Sequence, residues 1–157
     1  MQRRLADDAA MQAFGAALAT AGSGVLYLRG ELGTGKTTLA RGFLRARGHA
    51  GAVRSPTYTL LEPYALDGGA VYHLDLYRLT DAEELEYLGL RDLLEPGVSL
   101  LIEWPERGGA RLPPADLLLE LEYAGSARRA RLASGSAAGR AWLARLASVE
   151  TPQEPAG

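Results

Sequence analysis

The octapeptide Gly30-Glu31-Leu32-Gly33-Thr34-Gly35-Lys36-Thr37 constrains this chain more than any other stretch. It matches G-x-x-x-x-G-K-[ST], the P-loop or Walker A pattern. There backbone N–H groups cradle phosphates, the lysine reaches the β- and γ-phosphates, and the threonine hydroxyl binds Mg²⁺. Lys36 is the only lysine among 17 basic residues; all the others are arginine. Lysine is a compact point charge on a flexible stem, whereas guanidinium is a planar fork. A tight loop that must thread a point charge toward phosphate requires the former.

The flanks agree with the motif. Val25-Leu26-Tyr27-Leu28 is a short apolar run of strand formers. Thr38 to Arg45 places Leu39, Phe43 and Leu44 at helical spacing. A strand, a glycine-rich loop and a helix start leave unpaired N–H groups and a positive dipole end facing phosphate. Gly33, Thr34, Gly35, Lys36, Thr37 and Thr38 are therefore the expected nucleotide-binding residues.

The remaining chain reads as one α/β domain over residues 1–150, followed by a frayed tail at 151–157. Asp7-Asp8 starts a helix running to about Ala19, which Gly22 stops. Tyr58 to Tyr64 and Ala70 to Tyr77 form a hairpin turning at Asp67-Gly68-Gly69. Thr80 or Asp81 caps a short acidic helix, Glu83 to Leu88, and Gly89 ends it. Val98 to Ile102 is a buried-type strand that ends at Glu103-Trp104-Pro105. Leu117 to Tyr123 and Ala127 to Ala133 make a second hairpin, with its turn at Gly125-Ser126. A last helix covers about Ala137 to Ala147.

With 157 residues the chain can bury a substantial core. Its formal net charge of −2 argues against gripping nucleic acid through an overall field. It has no cysteine, which removes disulfides, thiolate metal sites and thiol nucleophiles. The N-terminus turns acidic at once, and no segment approaches a membrane span, so the expectation is a cytoplasmic protein.

A P-loop alone binds phosphate; hydrolysis also needs acids at the metal. Glu103 directly follows an apolar strand, as a Walker B acid does, at the edge where α/β sheets bind ligands. Asp75, in His73-Leu74-Asp75-Leu76-Tyr77-Arg78, sits near another strand end. Both can hold Mg²⁺ directly or through water; the alternative for Asp75 is a solvated acid. Ser55-Pro56-Thr57-Tyr58-Thr59 is either a γ-phosphate-sensing switch or simply the lead into a strand. Trp104 is either a switch residue or core filler. His49 reads as a solvent-exposed helix-end residue. His73 reads as a strand residue whose nearness to Asp75 leaves a site role open. Neither has metal-ligand company. Arg128, Arg129 and Arg131 read as the outer face of the hairpin.

Taken in order, the P-loop, Ser55 to Leu60, His73 to Leu79, Glu83 to Leu90 and Glu103-Trp104-Pro105-Glu106 resemble the TsaE (YjeE) family. These are small bacterial ATPases of the tRNA threonylcarbamoyladenosine pathway. The resemblance implies ATP and Mg²⁺ as cofactors, with Mg²⁺ ligation by Thr37 and Glu103 and an essential Asp75. Lys36, Asp75 and Glu103 would then form the catalytic set, and Thr57, Tyr58, Thr59 and Trp104 the switch. It implies a TsaD–TsaB partner complex, with tRNA reached only through that complex and no membrane. It also implies a compact P-loop domain with a mixed sheet, antiparallel hairpins and flanking helices. The family usually carries a threonine in the first helix near the adenine; this chain has Met11 there. Met11 and Ala127, on the second hairpin, are the expected walls of the base site.

A small-molecule kinase is the rival reading, with Arg54 and Arg78 as acceptor contacts, but no lid-length insertion is evident. A GTPase usually reads guanine with an Asn/Thr-Lys-x-Asp element, which a chain with one lysine, already in the P-loop, cannot supply. An ATP-gated adaptor without turnover differs from the favoured reading only in phosphate release.

Overall fold

The computed structural model describes residues 1–53, 56 and 59–150. Seven strands are described: β1 (Gln2–Leu5), β2 (Val25–Arg29), β3 (Leu61–Tyr64), β4 (Val71–Asp75), β5 (Ser99–Glu103), β6 (Leu117–Ala124) and β7 (Ala127–Ser134). They form one sheet in the order β1-β7-β6-β2-β5-β4-β3. The pairs β6–β2, β2–β5 and β5–β4 are parallel, and the outer pairs are antiparallel. The central strands read as continuous apolar runs because both their faces are covered. All five residues of β5 are buried.

The helices α1 (Asp8–Ala21), α2 (Lys36–Ala46) and α3 (Ala137–Glu150) share one core with Leu26, Leu28, Leu101 and Leu119. Asp7 caps α1 by accepting from the Ala10 amide at 2.8 Å. Trp142 of α3 is fully buried, and its indole Nε1 donates to the Leu18 carbonyl at 2.9 Å. The opposite sheet face is covered by short 3-10 turns at Ala82–Leu88 and Leu90–Leu93, which bury Leu85 and Leu90 against Leu74, Leu100 and Ile102. Buried Arg47 ties three regions together, donating to Ala19, Gly22, Gly68 and Gly97 carbonyls.

Four features depart from the sequence reading. Strand β1 was not foreseen: its Gln2-Arg3-Arg4 carries no apolar alternation, and only Leu5 is buried. It is an edge strand, where charge is tolerated and discourages further pairing. Strand β3 starts at Leu61, because Thr59–Leu60 form a turn and Leu60 takes φ 61°. The acidic segment is a 3-10 turn rather than an α-helix, capped by Asp81 and closed by Gly89. Helix α3 runs to Glu150 instead of Ala147. Residues 151–157, expected as a tail, lie outside the described residues. Among the described residues no helix is long and apolar enough to cross a membrane.

Candidate functional site

Three neighbouring strands deliver the site to one edge of the sheet. β2 ends in the P-loop, while Asp75 of β4 and Glu103 of β5 are register partners at their strands' carboxyl ends. A ligand at this edge meets all three, as the topology of open α/β sheets dictates. The cleft there has a volume of about 510 Å³. Its lining includes Gly33, Gly35, Lys36, Thr37, Thr38, Asp75, Glu103 and Trp104, so most of the residues expected from sequence converge.

The loop's shape follows from its glycines. Gly35 takes φ 104° and caps α2 in the left-handed region; a Cβ there would also meet Met11 Cε at 2.9 Å. Gly33 takes φ 79°. Helix α2 starts at Lys36, earlier than the sequence reading placed it, and its first internal bond is Leu39 N–H to Gly35 O at 2.9 Å. The amides ahead of Leu39 have no intrahelical acceptor, and Gly35, Lys36, Thr37 and Thr38 line the cleft. Thr34 is buried, and its hydroxyl donates to the Glu31 carbonyl at 2.8 Å, bracing the turn.

Lys36 folds over the loop. Its Nζ donates to the Gly30 carbonyl and, at 3.1 Å, to that of Glu31, and lies 4.1 Å from the centroid of the Trp104 ring. Desolvation pushes its pKa below the ordinary lysine value, opposed by the charges of Glu103, Asp75 and Glu106. Trp104 itself takes φ 56°, rare for a large side chain. This strained turn swings the indole from the end of β5 across the lysine, and Tyr77 packs against it at 5.1 Å. Trp104 thus lines the cleft while also packing, half-buried, against the core cluster on that face of the sheet.

The acids differ in environment. Glu103 is 3% exposed, and the Thr37 hydroxyl lies 3.3 and 3.4 Å from its two oxygens. Asp75 is nearly buried, and its Oδ1 accepts from the Tyr77 amide at 3.0 Å. A hydroxyl and two carboxylates are the hard oxygen donors that magnesium prefers while keeping several waters. Among the described residues no group of three or more His, Cys, Asp or Glu could hold an ion by itself. Thr37, Asp75 and Glu103 fit magnesium in the kind of oxygen donor they supply.

Met11 lines a small cavity of about 60 Å³ beside Gly33 and Gly35, together with Ser126 and Arg128. Ala127, between those last two residues in sequence, is buried and pairs with Ala124 across the hairpin. Arg128 does not decorate the outer face: it stacks 4.4 Å from the Tyr123 ring, and its Nη2 reaches the Gly33 carbonyl at 3.5 Å. The Tyr123 hydroxyl donates to the Leu32 carbonyl at 2.5 Å, so the second hairpin braces the P-loop. Arg129 and Arg131 do face outward, pairing with Glu122 at 3.6 and 3.3 Å. His49 is half-buried, edge-on to Tyr64 at 4.8 Å. Thr59 is an exposed turn residue; Thr57 and Tyr58, the other expected switch residues, lie outside the described residues, as does Arg54. The contact of His73 with Glu103 was missed. The period-two alternation of a strand puts His73 and Asp75 on one face, and that was the available signal.

Fold and site together define a P-loop α/β protein. A crystal structure of Bacillus subtilis YdiB superposes with TM-score 0.78 and 26% identity, covering 96% of both chains. The family described as "Threonylcarbamoyl adenosine biosynthesis protein TsaE" matches residues 5–131. The tRNA threonylcarbamoyladenosine biosynthesis protein TsaE of Haemophilus influenzae is 52% identical over 108 residues, 69% of this chain and 68% of that protein. Its Aquifex aeolicus counterpart is 42% identical over 103 residues, 64% and 69% of the two chains. The chain belongs to the TsaE family.

Proposed function

We propose that this protein is a Mg²⁺-dependent ATPase that acts with the TsaD–TsaB complex in threonylcarbamoyladenosine modification of tRNA. One observation carries the reading: the Thr37 hydroxyl, at the start of the P-loop helix, faces the buried Glu103 carboxylate at 3.3 Å. This pairs a Walker A hydroxyl with a strand-end acid, the arrangement that phosphoryl transfer on a P-loop requires.

In this reading the first-turn amides of α2 bind phosphate oxygens. Lys36 brings its ammonium to the β- and γ-phosphates, exchanging the Gly30 and Glu31 carbonyls for a stronger charged partner. Thr37 and Glu103 would hold Mg²⁺, which neutralises charge on the phosphates when bound. Asp75, fixed by the Tyr77 amide, orients the attacking water. Trp104, stacked over Lys36, senses whether the lysine has moved.

The test is phosphate release from ATP by the full chain, with Mg²⁺ and with EDTA, alone and with TsaD–TsaB. Slow Mg²⁺-dependent release is expected. Asp75→Ala should lower turnover on the order of 100-fold, the scale of losing a positioned proton-transfer group, while leaving nucleotide Kd within a few-fold. Wild-type turnover in that variant would make Asp75 structural. Among the described residues, the exposed Arg78 at the cleft is the feature that favours a kinase. A screen that finds a phosphorylated small-molecule acceptor would replace hydrolysis with transfer.

A further inference from the structure

We propose that His73 is a positioning residue for Glu103, holding the carboxylate in the orientation from which it takes magnesium and thereby setting the protein's metal affinity. The inference rests on the Mg²⁺–ATP reading above and names a residue that the P-loop pattern does not contain.

His73 is fully buried, and its Nε2 lies 2.6 Å from Glu103 Oε2. In the ionised form that takes a metal the Glu103 carboxylate only accepts, which puts the proton of this bond on Nε2. Among the described residues Nδ1 has no hydrogen-bond partner. Leaving a buried polar atom without a partner is costly. A leucine of similar size would fill this space without that cost, so the imidazole is distinguished by what its other nitrogen does.

Strand geometry explains why this nitrogen meets this acid. His73 is the register partner of Leu101 and Asp75 that of Glu103. His73 and Glu103 are thus diagonal neighbours on adjacent parallel strands, and α2 carries Thr37 to the same carboxylate. The two contacts differ in kind. Thr37 lies 3.3–3.4 Å from both oxygens, at the loose end of hydrogen bonding, whereas the His73 contact is short and made to Oε2 alone. One pinned oxygen restrains how the carboxylate turns and leaves Oε1 with only the longer Thr37 contact. A ligand already ordered loses less side-chain freedom when it takes an ion. Partners that orient metal ligands are worth about 10–100-fold in affinity or activity.

The test uses the full chain with His73→Leu and His73→Gln, the second keeping a donor near the place of Nε2. Kd for a fluorescent ATP analogue is measured in EDTA and across a Mg²⁺ titration. Wild type is expected to bind more tightly as Mg²⁺ rises. His73→Leu should keep its EDTA Kd within about twofold while its Mg²⁺ half-saturation rises about 10–100-fold, and His73→Gln should recover most of the loss. A purely structural histidine would lower the melting temperature without moving the Mg²⁺ midpoint, and that result overturns the proposal. If wild type shows no Mg²⁺ dependence, the metal reading falls and the inference with it. A Mg²⁺-dependent wild type matched by His73→Leu sinks the inference alone. Should His73→Leu fail to fold, the wild-type protein still decides by NMR. It has two histidines, so a His49→Asn variant assigns the imidazole nitrogens directly. A proton on His73 Nε2 whose resonance shifts in Glu103→Gln supports the bond; a proton on Nδ1 contradicts it.

Discussion

Lys36 is held by two loop carbonyls and the face of Trp104, so its ammonium is already at the P-loop and already desolvated. Lys36→Ala should weaken ATP binding by about 1.5–3 kcal/mol, the worth of a charged hydrogen bond, and, because the side chain is 5% exposed rather than an exposed loop tip, it should also lower the melting temperature. Lys36→Arg should also be impaired, because a planar fork cannot sit where a point charge contacts Gly30, Glu31 and an indole together. Isothermal titration against ATP checks both; full affinity in Lys36→Arg would contradict the point-charge account. The glycines, Lys36, Thr37 and Glu103 were legible in sequence because each is fixed by local geometry or by a strand's end. His73 and Arg128 were not. Their partners, Glu103 and Gly33, lie 30 and 95 residues away, and only the sheet register brings them close.

At the scale of elements, α1 and α2 cross at a distance that glycine sets. A Cβ on Gly15 would come 2.1 Å from the Leu39 carbonyl oxygen, and one on Gly42 2.1 Å from that of Gln12. These contacts are with backbone, which cannot rotate away. Gly15→Ala should therefore push α2 outward and destabilise the protein by roughly 1–3 kcal/mol, as overpacking does. A fall in melting temperature of about 2–4 °C per kcal/mol is the readout for a chain of this size. Because α2 carries Lys36 and Thr37, nucleotide affinity should fall too, and an unchanged melting temperature would show that the crossing has slack. Helices α1 and α2, the central strands and the second hairpin could be read from periodicity and turn residues. β1 could not: an edge strand of Gln and Arg leaves no periodic trace, and its pairing with β7 spans the chain. The start of β3 was misplaced for a backbone reason, since nothing in the Leu60 side chain announces its left-handed φ.

For the whole molecule, the sheet order brings Lys36, Thr37, Asp75 and Glu103 to one edge and leaves the outer face of β6 and β7 to paired charges such as Glu122 with Arg129 and Arg131. That charge pairing suits a solvated surface. The cleft edge is different. It joins the P-loop cleft to Trp104 and to the segment from Thr59 onward, whose Leu60 carbonyl accepts from the Asp75 amide at 3.0 Å. In the proposed cycle a change at the γ-phosphate would reach the surface through these residues, a route by which nucleotide switches order a docking face. The central claim is that this ATPase cycle serves the TsaD–TsaB complex. The most direct measurement titrates the full chain against TsaD–TsaB with and without ATP, and counts modified adenosines per tRNA over several turnovers for wild type and Glu103→Ala. The account predicts affinity that depends on nucleotide and modification that stalls in the variant. Equal affinity in both nucleotide conditions, together with multiple-turnover modification by Glu103→Ala, would contradict it.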